Sequence, residues 1–205
     1  MDERALFTII LALLLIGFIG HRGYYHRKLA VPLDSIIEDK ERGAGSRVAG
    51  LIAIPALLCT LIFMINPAWL SWSSLPFPFW VRWLGVAVAL LGFTLLQWSH
   101  QALGRNWSDE PRLIKGQELV TGGPYRRIRH PIYAAFLLIL GSPTLVLANW
   151  LLGGLWITMT AVDVVSRIRI EEDLMLSRFG DEYRAYVRRT GRVLPRFGAP
   201  SEDGP

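Results

Sequence analysis

The sequence is poor in the residues on which several common kinds of functional site depend. It has one cysteine in 205 residues, Cys59, which excludes an intrachain disulfide and a cysteine-based metal site. Its four histidines are not spaced like metal ligands. A Gly-x-Gly-x-x-Gly turn after a strand, a Walker lysine loop and an obvious Ser-His-Asp set are also absent. The sequence therefore predicts no metal site, and any nucleotide-like cofactor would have to bind between helices and loops.

Long hydrophobic runs replace the periodic apolar stripes that a soluble core would show. Five runs each come close to the roughly 20 residues that a helix needs to cross a bilayer. They predict an all-α polytopic membrane bundle of about five transmembrane helices. The first run lacks a basic leader and a small-x-small cleavage site, so we expect an uncleaved span. The runs cover residues 5–20, 48–65, 81–98, 131–148 and 150–165.

Basic residues are missing from alternate connections between these runs. Residues 66–80 and 148–150 contain no Lys or Arg, whereas all of the 22 basic residues except Arg4 and Arg82 lie in the other connections or after residue 165. The positive-inside rule then places the N-terminus outside and the C-terminus in the cytoplasm. Anionic membrane lipids are the expected partners of these charges. Nucleic acid is a poor alternative, because the charges are spread over membrane-proximal loops.

The chain is predicted to form one membrane domain over residues 1–205. Residues 1–79 would hold the first two spans, residues 80–197 the functional core, and residues 198–205 a disordered tail. We expect the last span to continue into the cytoplasm as a helix. A second, amphipathic helix over residues 181–189 would then place Tyr183 and Tyr186 against the bundle or the membrane.

Two polar clusters flank the hairpin that the last two hydrophobic runs form. The first cluster extends from Gly122 to Tyr133. Its Gly-Gly-Pro turn brings backbone groups close to a ligand, and an arginine such as Arg129 can grip a carboxylate with a planar fork. Pro131 suits the first turn of a helix, whose start favours anions. Arg126 and Arg127 are interpreted as a basic membrane anchor. Arg129, His130 and Tyr133 are interpreted as functional, because anchoring does not require that combination.

The second cluster contains Arg167, Glu171 and Glu172. Its carboxylates can hold a ribose diol or an ammonium group. The alternative is an intrahelical ladder of Arg and Glu facing solvent. Asp163 lies within the fifth run, where an acid is a functional candidate, but Arg167 one turn later can equally neutralise it.

A third group lies at the inner end of the third run. His100 is a candidate general base or hydrogen-bond donor, although a single histidine is more often structural. Trp107 either lines an apolar substrate groove or belongs to the interfacial aromatic belt.

Taken in order, these motifs resemble the isoprenylcysteine carboxyl methyltransferase family, which is related to the phospholipid N-methyltransferases. The resemblance covers roughly residues 80 to 196, while the first two spans match only in being hydrophobic. The motifs that carry it are Leu103-Gly104-x-x-Trp107-Ser108, Leu119-Val120-x-x-Gly123-Pro124-Tyr125-x-x-x-Arg129-His130-Pro131-x-Tyr133, Arg167-x-x-x-Glu171-Glu172, Phe179-Gly180-x-x-Tyr183-x-x-Tyr186 and Arg192-x-x-Pro195.

The resemblance implies transfer of a methyl group from S-adenosylmethionine to a lipophilic acceptor at the cytoplasmic membrane face. The acceptor would be an isoprenylcysteine-type carboxylate or another lipid-like small molecule. Arg129 and His130 would suit the methionine carboxylate, and Glu171 or Glu172 the ribose or amino group. His100, Arg129 and Glu171 are the catalytic candidates and Trp107 the substrate-binding candidate. The implied cofactor-site residues are Leu119, Val120, Gly123, Pro124, Tyr125, Arg129, His130, Pro131, Tyr133, Glu171 and Glu172.

Two other interpretations remain open at the level of sequence. A sterol-reductase-like oxidoreductase that uses NADPH has a similar Arg-His-Pro-x-Tyr arrangement, but it usually carries Asp-Glu in place of Glu171-Glu172 and is longer. A non-enzymatic membrane scaffold would keep the fold and bind no cofactor.

Overall fold

A computed structural model describes residues 3–29, 31–39 and 43–196. The predicted disordered tail at residues 198–205 lies outside the described residues. The described part is mostly helical, with one small antiparallel sheet. Its elements are α1 (Glu3–Lys28), β1 (Ile36–Asp39), α2 (Ala44–Ile65), α3 (Phe79–Leu103), β2 (Arg112–Ile114), α4 (Pro131–Gly141), α5 (Pro143–Val146) and α6 (Trp150–Arg189).

Four helices, α1, α2, α3 and α6, are long and apolar enough to cross a membrane. Their outward faces carry large apolar side chains, such as Leu51 and Ile54 on α2, which are 68% and 57% exposed. A continuous apolar surface of this kind fits lipid and does not fit water. The protein is an integral membrane protein with a helical bundle fold, as the sequence predicts.

The predicted fourth span differs from a single long helix. Pro143 has no amide hydrogen to continue the ladder of α4, so the run divides into the 11-residue α4 and the 4-residue α5. Contacts at the two ends show that this pair still runs the length of the bundle. At one end Glu3 pairs with Arg82, and Leu75 donates a backbone hydrogen bond to Ala148. The start of α4 lies at the opposite end, so α4 and α5 together run along the bundle, although they are shorter than the four candidate spans among the described residues.

Small residues let α4 and α5 pack closely on α3. A Cβ atom on Gly92 would lie 2.7 Å from Ile139, and one on Gly85 would lie 2.7 Å from Leu145. Such close approach is common between membrane helices. It holds the start of α4 beside the end of α3, and this brings the two predicted polar clusters together.

The helix α6 continues past its apolar run, as the sequence predicts, and turns at Gly180. Gly180 has φ of 51°, a left-handed conformation that glycine adopts without strain. The segment after this turn packs back on the bundle, where the hydroxyl of Tyr186 donates a 2.7 Å hydrogen bond to the carbonyl of Tyr125. The end of α6 therefore forms a helical cap on the polar end of the bundle.

The sequence analysis did not predict the small sheet of β1 and β2. Ile36 pairs with Ile114 and Asp39 with Arg112 in an antiparallel register. Strands of four and three residues are too short to show a readable alternation of polar and apolar positions. The sheet joins the connection between α1 and α2 to the loop between α3 and α4, which forms part of the candidate site.

Candidate functional site

The end of the chain is joined to the loop before α4 by backbone hydrogen bonds. Arg129 donates to the carbonyl of Gly191, His130 donates to that of Arg192, and Gly191 donates to that of Arg127, at 2.8, 2.9 and 3.1 Å. Gly123 turns this loop at φ of 58°. The motif that contains Arg129 and the last motif of the predicted core therefore form one wall.

Arg129 is buried in this wall and bonded to the protein itself. Its Nε donates to Glu172 at 3.1 Å, and its Nη1 donates to the backbone carbonyls of Val187 and Thr190. These contacts tie the end of α6 to the loop before α4. These contacts support a positioning role for Arg129. Direct contact with a ligand carboxylate stays a prediction, because Arg129 also lines a cavity.

Glu172 faces other side chains of the described residues and does not line either of the two cavities that contain the other site candidates. It accepts hydrogen bonds from Arg192 as well as from Arg129, with a shortest distance of 2.8 Å to Arg192. Glu172 therefore neutralises two arginines that hold the cap in place. Of the two adjacent carboxylates, Glu172 is therefore the one whose contacts stabilise the fold.

Glu171 is the carboxylate that lines a cavity. Its Oε1 accepts a short hydrogen bond from the hydroxyl of Tyr133, and its Oε2 lies 3.4 Å from Nδ1 of His130. Adjacent residues on a helix point in different directions, so Glu171 and Glu172 have different surroundings.

His130 stands between these two carboxylates. Its side chain is 8% exposed, and its buried Nε2 lies 3.5 Å from Oε1 of Glu172. Burial of the ring lowers the pKa of His130, but Glu171 and Glu172 outweigh that effect and raise the pKa above its ordinary value. Burial first, and Glu171 second, hold the pKa of the neighbouring Tyr125 well above its usual range, so this phenol stays neutral.

The first cavity lies between the end of α3, the start of α4 and the cap, and has a volume of about 910 Å³ including its open mouth. It brings together most of the predicted site residues. Four of the predicted residues do not line it, although the two prolines among them are buried: Gly123, Pro124, Pro131 and Glu172. The predicted residues on its wall are Trp107, Leu119, Val120, Tyr125, Arg129, His130, Tyr133 and Glu171.

Sequence reasoning missed several residues of this wall. Leu174 and Met175 on α6 supply apolar surface, and Glu110 and Arg112 in the loop before and within β2 supply charge. The loop residues belong to no motif. Leu174 lies three residues after Glu171, a helical spacing that could have identified it.

A second cavity, of about 880 Å³ including its open mouth, lies between α1, α4 and α6. His100 lines this cavity and not the first, so the structure separates His100 from Arg129 and Glu171. Asp163 and Arg167 also line it and form an ion pair at 3.0 Å. Trp107, Ser108 and Ile132 belong to both walls. The two cavities therefore adjoin each other at Trp107.

No group of three or more His, Cys, Asp or Glu side chains within residues 3–29, 31–39 and 43–196 is arranged to hold a metal ion. The chemistry available in the two cavities is that of carboxylates, imidazoles, guanidinium groups and aromatic walls.

Residues 83–177, which include both sides of the first cavity, match the model of the isoprenylcysteine carboxyl methyltransferase (ICMT) family. These matched residues are called the ICMT-family core below, after the family that they resemble. The match confirms the family resemblance that the ordered motifs indicate. It begins within α3 and ends within α6, so α1 and α2 lie outside it.

Relatives of this core have methyltransferase names. A protein-S-isoprenylcysteine O-methyltransferase of Tribolium castaneum is 29% identical over 118 residues, covering 57% of this chain and 42% of that protein. Methanethiol S-methyltransferase 2 of Bradyrhizobium diazoefficiens is 28% identical over 160 residues, covering 70% of this chain and 59% of that protein. The chain thus spans about half the length of these two relatives.

The fold of the ICMT-family core also has a solved counterpart. The structure of the eukaryotic intramembrane Ras methyltransferase ICMT superposes with a TM-score of 0.54 at 23% identity, covering 76% of this chain and 54% of that one. The match extends the likeness beyond the family core and confirms a helical membrane bundle of this type.

Proposed function

We propose that this protein transfers the methyl group of S-adenosylmethionine to a lipophilic acceptor at the membrane surface. The observation that carries the proposal is the first cavity, which the ICMT-family core and the cap enclose together. It combines a carboxylate, a buried imidazole and apolar walls in one place. The methyltransferase names of the relatives support the reaction class.

The residues of the first cavity fit this cofactor. His130 lies on the cavity wall, and Glu171 and Glu172 raise the pKa of its ring, so we assign this cationic group to the carboxylate of the methionine part. Glu171 would accept hydrogen bonds from the ribose hydroxyls or the ammonium group. Leu119, Val120, Leu174 and Met175 would cover the apolar surface of the adenine.

When bound, S-adenosylmethionine supplies a methyl group on a sulfonium that is already activated. The protein then has to position the reactants and exclude water. In our proposal Arg129 and Glu172 act indirectly, because they hold the cap against the cavity. Tyr183 and Tyr186 of the cap are buried at its wall and close it from solvent.

The orientation that we propose places both cavities at the cytoplasmic face. The end of the bundle with the cavities carries the basic connections, whereas the end near Glu3 and Arg82 carries the Lys- and Arg-free connection of residues 66–80. The positive-inside rule supports this orientation. The N-terminus would then lie outside and the C-terminus in the cytoplasm.

The acceptor would approach from the bilayer into the second cavity. Ile19 and Phe136 provide apolar surface there, and Trp107 separates it from the first cavity. An isoprenylcysteine-type carboxylate and another lipid-like small molecule both fit a cavity with apolar and polar walls. Membrane lipids would surround its entrance.

Calorimetric titration of the detergent-purified protein with S-adenosylhomocysteine, with NADPH in parallel, tests the proposal. We expect saturable binding of S-adenosylhomocysteine alone, and loss of that binding in Glu171→Gln. Binding of NADPH alone would support a reductase. Absence of binding by both to folded protein would contradict the methyltransferase and favour a scaffold.

A further inference from the structure

The second cavity has one wall that belongs to no family motif. Its α1 side includes Ile19, Gly23 and His26. These residues are four and three positions apart, so they share one face of the helix. α1 lies outside residues 83–177, which the family model matches. This wall is therefore where the cavity does not depend on the ICMT-family core.

Contacts on both sides of the wall hold it at a fixed place in the bundle. Tyr25, on a neighbouring face of α1, stacks on His100 of α3 with ring centroids 4.3 Å apart. His26 lies 3.0 Å from a carboxylate oxygen of Asp109, in the loop that follows α3. Because these contacts join α1 to α3 and its loop, the side chains on the wall set the width of the cavity.

The charges of the arginines and aspartates in the cavity balance one another. Two residues of each kind line it: Arg22, Arg167, Asp109 and Asp163. Arg167 donates a hydrogen bond to Asp163 at 3.0 Å and another to the backbone carbonyl of Asp109 at 2.9 Å. Balanced charges give little electrostatic preference between an anionic and a cationic acceptor. Selection between acceptors then depends on the shape of their apolar part.

The apolar part of the cavity is open at Gly23. A Cβ atom added to Gly23 would have no heavy atom of the described residues within 4 Å, its own helix apart. Ile19, one turn earlier, lines the cavity and is 69% exposed, so the cavity meets the lipid-facing surface beside it. Phe136 of α4 provides apolar surface within the same cavity. A hydrocarbon chain fits such a passage from the cavity to lipid.

We propose, on the basis of the methyltransferase function above, that Gly23 determines which lipophilic acceptors enter the second cavity. The methylated end of the acceptor would point towards Trp107, where the two cavities adjoin. Its hydrocarbon chain would pass Phe136 and Gly23 on its way to the bilayer. The absence of a side chain at Gly23 leaves room for a methyl-branched chain, and a larger residue there would exclude that chain before it excludes a straight one.

Photolabelling measures the occupancy of the cavity without turnover. The protein in phosphatidylcholine vesicles would be irradiated with a straight-chain or a methyl-branched monoacylglycerol, each with a diazirine in its chain. Peptide mass spectrometry would locate the adducts. In the wild-type protein we expect both probes to label Phe136 in the cavity, and Leu51, which is 68% exposed on α2 and reports the lipid surface.

The effect of size at Gly23 is measured as the ratio of adducts at Phe136 to those at Leu51. Gly23→Trp should lower this ratio by about tenfold or more, because the burial of about two CH₂ groups already corresponds to roughly tenfold. Gly23→Leu should lower it more for the branched probe than for the straight one, and Gly23→Ala should have the smallest effect.

These variants are expected to fold. Alanine and leucine favour a helix more than glycine does, and the added Cβ atom meets open space. The thermal unfolding temperature of Gly23→Ala and Gly23→Leu should therefore not fall below that of the wild-type protein. Affinity for S-adenosylhomocysteine, measured by calorimetry, should also stay the same.

Gly20→Trp is the matched control. Gly20 lies on the same helix, and a Cβ atom added there also has no described heavy atom within 4 Å outside its own helix. Gly20 does not line the second cavity. We expect this variant to keep the wild-type ratio of adducts with both probes.

The proposal is wrong if neither probe labels Phe136 in the wild-type protein, or if Gly23→Trp keeps the wild-type ratio. It is also wrong if Gly20→Trp lowers the ratio as much as Gly23→Trp, or if Gly23→Leu affects both probes equally. Failure of S-adenosylhomocysteine to bind the wild-type protein is a different result, because it contradicts the proposed function itself.

Discussion

The two adjoining cavities are built in different ways. The first is formed by the ICMT-family core and the cap, and its wall is fixed by a network of buried charges around Glu172. The second lies against α1, which is outside the family match, and its walls contain both charged and apolar side chains. Because the family match covers most of the first cavity and does not reach α1, we expect the residues nearest α1 to have more influence on which acceptor is methylated.

The largest effect is expected from breaking the network that holds the first cavity closed. Arg129 and Glu172 form a pair whose side chains are 7% and 15% exposed. Removing one partner of a buried pair costs about 3–5 kcal/mol, so Arg129→Ala should markedly lower the thermal unfolding temperature. In contrast, Arg105 and Glu118 form a pair 77% and 69% exposed, and Arg105→Ala should change stability by less than about 1 kcal/mol. Equal shifts in the two variants would contradict the structural role of Arg129.

A smaller effect, confined to binding, is expected at Glu171. A hydrogen bond to a charged group contributes about 1.5–3 kcal/mol, so Glu171→Gln should weaken S-adenosylhomocysteine roughly ten- to a hundredfold. Calorimetry measures this change. Asp181→Asn is the control, because that carboxylate lies further along α6, is 93% exposed and pairs only with nearby Arg184 among the described residues. If Glu171→Gln bound S-adenosylhomocysteine as tightly as the wild-type protein, Glu171 would not be part of the cofactor site.

A change restricted to the second cavity should affect the acceptor alone. Phe136 lines the second cavity and not the first. Full burial of such a side chain is worth about 1.5–3 kcal/mol, so Phe136→Ala should raise the KM for a lipophilic acceptor by about tenfold or more. Affinity for S-adenosylhomocysteine should stay the same. If Phe136→Ala also weakened the affinity for S-adenosylhomocysteine to a similar degree, the two cavities would not act as separate sites.

The smallest effect is a dependence of stability on pH. The folded state raises the pKa of His130, so the protonated ring stabilises the fold fully below the unfolded value of about 6.5. That contribution is lost as the pH rises through the higher folded pKa. Thermal unfolding from pH 6 upward should therefore show a decline that is weaker in His130→Gln. An identical slope in both proteins would contradict charged His130 as a stabilising group.

Much of the site could be predicted because its residues lie in short motifs with strong local character. The sequence Arg129-His130-Pro131-x-Tyr133 combines a helix start with polar side chains, and Glu171 follows an apolar run on the same hairpin. These patterns depend on neighbours in sequence. They correctly predicted that the two polar clusters meet in the folded protein.

What the sequence did not show depends on distant contacts. The positioning role of Arg129 follows from its bonds to residues 187 and 190, which only the folded chain brings near. The separation of His100 from Glu171 follows from the direction in which α3 presents its last turn. The division of the fourth hydrophobic run at Pro143 could have been predicted from the sequence, since proline in a helix interior removes a hydrogen bond.

The hydrogen bonds between residues 127–130 and 191–192 also bear on how the protein is made. The wall of the first cavity contains residues from the end of the chain, including Tyr186, and the loop before α4 is anchored on Gly191 and Arg192. A ribosome that has inserted the four long apolar helices has therefore not yet produced residues 191 and 192, which complete this wall. A product released before Arg192 would sit in the membrane with its helices in place and its first cavity open to water.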